Sequence, residues 1–265
     1  MVTWIKVVYT LIVLVYFSIL DIKYRDIPDK LIWLSLGVSI ILALISAPYY
    51  VSMFHVLPLS LFLVTLLTSM MIVLVLVLMY YFGYMGGADV IIIGELAILF
   101  PFYAVYGVSL MGRSCMFHLP PIILILLYAA SSMILIIVFK VLVGVAVYRR
   151  YLPKNTAIFT KILLLAFGRP VRIRDYLGMK HYYPLSVIKE TPSGVEVSYR
   201  LGFDVEEEYY EHQEYLRSLI NRGVVNPDDY IWVTLGIPFI VPLLLGYLLL
   251  LVFGDYPLLS LLGAC

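Results

Sequence analysis

The sequence predicts a polytopic α-helical membrane protein, with six transmembrane helices and a small α+β cytoplasmic domain between helices five and six. Three observations carry this. Of 265 residues, 63% are hydrophobic and 13% are charged, at a mean hydropathy of +1.01. A soluble domain of this size cannot hide that much apolar surface behind a polar face. Several apolar runs reach or approach the roughly 20 residues that cross a bilayer core, and a polar stretch, residues 148–230, separates the last of them from the rest.

Taken in order, the spans fall at about 3–20, 31–47, 56–82, 89–111, 119–147 and 231–254. The second is short, and the third and fifth are long enough to tilt or protrude. The first run, Trp4 to Leu20, lacks a small-residue cleavage site and enters a charged loop directly, so it reads as a span and not as a removable leader. The domain division is 1–147 as membrane domain, 148–230 as soluble domain, and 231–265 as the sixth helix with a short outer tail. Within 148–230, NTAIFTKILLLAFG reads as an interfacial helix ended by Gly168 and Pro170. VRIRDYL and YYPLSVIKETPSGVEVSYRLGF read as strands, with TPSG as a turn. VEEEYYEHQEYLRSLINRG reads as a helix stopped at Gly223.

Orientation follows from the basic residues. Lys23, Arg25 and Lys30 lie after the first span, and Arg149 and Arg150 open the segment after the fifth, whereas the loop PYYVSMFH has none and the loop at 112–118 has Arg113 alone. The basic side faces the cytoplasm. Both termini then lie outside, and Asp21 and Asp89 share the cytoplasmic membrane face. Trp4, Tyr80, Tyr81 and Trp232 read as interfacial anchors.

Several function classes drop out. A formal net charge of +1 with dispersed basic residues points away from nucleic acid, and no nucleotide-binding motif or HExxH is present. Cys115 and Cys265 make neither a disulfide framework nor a CxxC metal site, although the topology puts both on the outer face. His55 and His118 fall in outer loops, and His181 and His212 lack ligand spacing, so no metal is expected.

What remains is acidic. Asp21 closes the first span and Asp89 opens the fourth, each beside a Pro-containing or Gly-rich turn. Two carboxylates brought within a few ångströms share a proton: the ionised member activates water while the protonated member polarises a carbonyl. A solvated boundary acid would look the same from topology alone, but it would not need the glycines of GYMGGAD, which let a substrate backbone approach closely. Another class, a proton- or cation-coupled transporter, would use Asp21, Asp89 and Glu95 as an ion path. It is disfavoured because both aspartates lie at one membrane face, away from the midplane. Glu95 points about 120° away from Asp89 around a helix, and Lys140, read as deep in span five, is its expected partner.

Three segments carry a family resemblance. GGAD at 86–89 resembles the GxGD motif of the intramembrane aspartyl proteases, with Ala88 in place of a glycine. DIKYRDIPD at 21–29 resembles the first-aspartate motif of the type IV prepilin peptidases. DDYIWVTLGIPFIVP at 228–242 resembles the last-span segment of their archaeal branch, which includes the preflagellin peptidases. The resemblance implies a membrane aspartyl endopeptidase that cleaves the basic leader, a class III signal peptide, from type IV prepilin-like or archaellin precursors at the cytoplasmic face. It implies Asp21 and Asp89 as the catalytic pair, supported by Gly86, Gly87 and Ala88, with no metal or cofactor. The partners are then the precursors and the bilayer. The acidic Asp26 and Asp29, and Glu206 to Glu208, are candidate contacts for the basic leader; the alternative is that Asp26 and Asp29 cap the loop and pair with Lys23, Arg25 or Lys30. The cysteine-rich insert of the bacterial enzymes is absent, so their methyltransferase activity is not expected.

Overall fold

The computed structural model describes residues 2–53, 59–83, 85–101, 119–154, 156–191, 194–200, 207–235 and 238–261. They form two compact units, 1–133 with 238–265, and 134–237. The first begins with α1 (Val2–Tyr24), α2 (Asp29–Met53), α3 (Leu59–Tyr81), α4 (Gly87–Leu99) and the opening turns of α5 (Pro121–Tyr148). Their ends are marked locally. Arg25 takes a left-handed φ of 57° after α1, and Gly83 a φ of 74° after α3. Such a φ is free for glycine and costs another residue on the order of 1 kcal/mol.

Among the described residues four helices are long and apolar enough to cross a membrane: Val2–Tyr24, Asp29–Pro48, Leu63–Tyr81 and Pro121–Tyr151. Six spans are not shown. The fourth expected span is helical from Gly87 to Leu99, 13 residues, and its remainder lies outside the described residues, as do His55, Arg113, Cys115, His118, Glu206 and Cys265.

The second unit carries α6 (Ile158–Phe167), β1 (Gly168–Arg172), α7 (Ile173–Tyr176), β2 (Tyr182–Pro184), β3 (Ser186–Thr191), β4 (Gly194–Tyr199), α8 (Tyr209–Asn221) and β5 (Tyr230–Leu235). The sheet order is β1-β5-β2, antiparallel throughout, with Val171 opposite Ile231 and Tyr183 opposite Thr234. β3 and β4 form a separate hairpin, Ile188 opposite Val197. Here the sequence reading needs a correction: residues 231–235, taken as the start of the sixth span, are the central strand. YIWVTL is rich in β-branched and aromatic residues, and two neighbouring strands satisfy its backbone, which a hydropathy window cannot register. Both faces of β5 are covered, as its continuous burial requires. Ile231 and Val233 pack with Leu216, Leu219, Ile173 and Tyr176, and Trp232 packs with Leu164, Leu165 and Leu185. Trp232 is therefore a core residue and not an interfacial anchor. Its indole donates to the Tyr151 carbonyl at 3.3 Å.

The chain then re-enters the first unit through α9 (Ile240–Phe253) and α10 (Tyr256–Leu261). α9 is 14 residues long, short of the roughly 20 that cross a bilayer core. The core of this unit joins Leu14 and Phe17 of α1, Ile93 and Leu96 of α4, Ile125 of α5 and Leu243 and Tyr247 of α9. At Gly246 a Cβ would lie 2.3 Å from the Ile125 carbonyl oxygen and 2.8 Å from the Ala129 nitrogen. The absent side chain is what lets α9 rest on the α5 backbone.

Candidate active site

Asp21 lies in the last turn of α1, three and four residues after the buried Ser18 and Phe17, which places it on the same inward face. Its Oδ2 accepts a hydrogen bond from the backbone N–H of Ile240 at 3.4 Å. Ile240 is the first residue of α9, whose leading N–H groups have no partner within the helix. A carboxylate there is favoured by both the donor and the helix dipole. The Arg25 guanidinium is also within electrostatic reach of Asp21.

Asp89 is the third residue of α4, again at a helix N-terminus. Gly86, the cap residue, is extended at φ −70°, ψ 145°, and a Cβ on it would meet Asp89 Oδ2 at 3.3 Å. The carboxylate thus folds back over the cap residue. A Cβ on Gly87 would touch the Tyr80 ring at 3.3 Å, so this glycine lets α3 close on the start of α4. Ala88 packs against the core of the unit. Both aspartates are half-buried, and Asp89 lies within the electrostatic reach of Asp21. Two residues 68 positions apart in the chain thus each stand at a helix N-terminus, Asp21 at that of α9 and Asp89 at that of α4.

Asp26 and Asp29 are exposed in the connection from α1 to α2, with Asp29 in the first turn of α2. In the other unit Glu207 is partly buried and engaged: it accepts from Arg200 at 2.5 Å and lies against His212. Burial alone would push Glu207 up, but the hydrogen bond and charge of Arg200, with the charge of His212, outweigh it. They hold the carboxyl below the usual carboxylate range. Among the described residues no three His, Cys, Asp or Glu side chains gather as a metal site.

Three partners lay beyond sequence reasoning. The first is the Ile240 N–H. The second is the pair of hydroxyls on Glu95, which is buried and receives Ser35 at 2.6 Å and Ser39 at 3.1 Å. The hydrogen bonds of Glu95 come from these serines of α2. The third is Lys6 of α1, also buried, whose ammonium donates to the Leu99 carbonyl at 2.9 Å, a cation at the C-terminal end of α4. The spacing of Ser35 and Ser39, one helical turn apart on an otherwise apolar helix, was a legible sign of the second.

Comparison with protein families gives two matches in chain order. The model of the type IV leader peptidase family matches residues 8–147, which include α1 to α5 almost entirely and both aspartates. The model described as archaeal peptidase A24 C-terminus type II matches residues 160–256. No curated protein matches the chain.

Proposed function

We propose, for a chain that belongs to the type IV leader peptidase family and is on that ground an aspartic endopeptidase, that Asp21 and Asp89 are its catalytic pair. It removes the basic leader from type IV prepilin-like or archaellin precursors at the cytoplasmic membrane face. The observation that supports this reading is that two half-buried carboxylates each stand at a helix N-terminus, Asp21 held by the Ile240 N–H and Asp89 folded over Gly86, with Asp21 within electrostatic reach of Asp89.

The chemistry needs no covalent intermediate. The ionised carboxylate takes a proton from water as its oxygen attacks the peptide carbon. The protonated carboxyl donates to the carbonyl oxygen, where negative charge develops. On collapse the C–N bond breaks and the departing nitrogen takes a proton from the pair. Without side chains on Gly86 and Gly87, the Asp89 carboxylate and the Tyr80 ring sit close on the backbone, which sets the carboxylate at the start of α4 where a substrate strand is presented to it. Asp26 and Asp29, exposed near the end of α1, attract the positive leader and set which bond is presented.

The test is cleavage of a basic-leader precursor in isolated membranes by Asp21→Asn and Asp89→Asn variants that still accumulate. Processing that survives both substitutions would end the assignment. The leader contact is tested separately. Lys/Arg→Glu exchanges in the leader should slow cleavage, and Asp26→Lys with Asp29→Lys should restore it. Absence of rescue removes those two residues from substrate recognition.

A further inference from the structure

A cavity of about 320 Å³ opens within the 134–237 unit, between the second half of α5, α6, β1 and β5. Its walls are mostly apolar, with Phe139 and Val143 from α5 and Leu165 from α6. Two cations, Lys140 and Arg169, line it, and among the described residues no acidic side chain does. Neither cation forms an ion pair with a carboxylate among the described residues. Arg169 is oriented instead by Tyr182: it donates to the phenol oxygen at 2.8 Å and stacks over the ring at 4.8 Å. That arrangement points the guanidinium without neutralising it.

The position of Lys140 matters as much as its charge. α5 starts at Pro121, and the 20 residues to Lys140 span about 30 Å at 1.5 Å each, the thickness of the hydrocarbon core. Lys140 therefore lies at the polar edge of the bilayer and not deep within it. Phe139 and Val143 beside it are exposed apolar side chains. α6 also exposes Ile158, Phe159 and Ile162, the apolar face of a helix that rests in the interface.

We propose that this cavity binds the headgroup of an anionic phospholipid, its phosphate between Lys140 and Arg169 and its chains running along Phe139 and Val143. Apolar walls, two unneutralised cations and placement at the hydrocarbon edge match the three parts of such a lipid. Either half alone would suit other ligands: a free phosphate needs no acyl wall, and an uncharged amphiphile needs no cation.

The experiment is native mass spectrometry of the full chain in detergent, titrated with phosphatidylglycerol or with phosphatidylcholine. Phosphatidylglycerol should remain bound at activation energies that strip phosphatidylcholine. Lys140→Gln with Arg169→Gln should weaken its retention roughly tenfold or more, since each cation near a membrane surface adds to anionic-lipid binding. Val143→Phe, which keeps both charges and fills the cavity, should also lose the lipid. Arg149→Gln with Arg150→Gln, outside this cavity, should retain it. Equal retention of the two lipids, or retention by both cavity variants, overturns the proposal. Displacement of the lipid by millimolar inorganic phosphate also overturns it, in favour of a free-anion site.

Discussion

Gly246→Ala should loosen the helix that holds Asp21. The added methyl would begin 2.3 Å from the Ile125 carbonyl oxygen, 2.8 Å from the Ala129 nitrogen and 3.1 Å from the Ala129 Cβ. Two of these neighbours are backbone atoms of α5, which cannot swing aside as a side chain does. Moving 2.3 Å to the 3.4 Å of an ordinary contact requires α9 to retreat by about 1 Å. Overpacking a filled core costs about 1–3 kcal/mol, and a backbone neighbour puts this site at the upper end, about 3 kcal/mol. Gly94, in α4, is the matched control: nothing lies within 4 Å of its Cβ position, so Gly94→Ala should gain about 0.5–1 kcal/mol from helix propensity. The readout is unfolding of the purified protein in detergent, paired with precursor cleavage well below the transition. Cleavage should fall as well, because the Ile240 N–H rides on α9 and its 3.4 Å bond to Asp21 has no slack. A Gly246→Ala protein as stable and as active as Gly94→Ala would refute the reasoning.

Other outcomes follow from the same geometry. Gly86→Val should leave the protein folded yet cut kcat about tenfold, or ~1.4 kcal/mol in the barrier, because its side chain meets Asp89 Oδ2 at a 3.3 Å Cβ distance; unchanged kcat in a turnover assay would contradict this. Ser35→Ala with Ser39→Ala strips the hydroxyl donors from a buried carboxylate and should cost roughly 2–4 kcal/mol. Adding Glu95→Gln should recover part of that loss, measured by the same unfolding assay. The depressed Glu207 titration contributes stability that is complete above its unfolded value near 4.5 and is lost as pH falls through the lower folded value. Protection factors at the start of α8, with exchange corrected for its intrinsic pH dependence, should therefore fall below about pH 4.5, and Glu207→Gln should remove the pH step.

The membrane helices were legible because burial in lipid imposes a long, unbroken apolar run, and 2–24, 29–48, 63–81 and 121–151 each supply one. The soluble helix α8 and strands β3 and β4 were equally plain, since alternation and a stop at Gly223, with φ 71°, are local signals. Failures came where two elements share one composition. YIWVTL and the apolar run after it form a single hydropathy peak, yet the first half is a strand and the second a helix. The pairing of Asp21 with Asp89 was proposed from their expected places at one membrane face. The Ile240 donor, 219 residues from Asp21, was not. Backbone donors leave no mark in side-chain patterns. Charge matching also passed over the two serines that donate to the buried Glu95 carboxylate.

The central claim is that Asp21 and Asp89 act as one unit on one water. Single-turnover cleavage of a basic-leader precursor by wild type, Asp21→Asn, Asp89→Asn and the double variant tests it most directly. Members of a catalytic unit are grossly non-additive. Each single variant should lose at least about 10³-fold, and the double variant should be no slower than the slower single. Losses that multiply in the double variant, or a single variant that cleaves at the wild-type rate, would contradict the account.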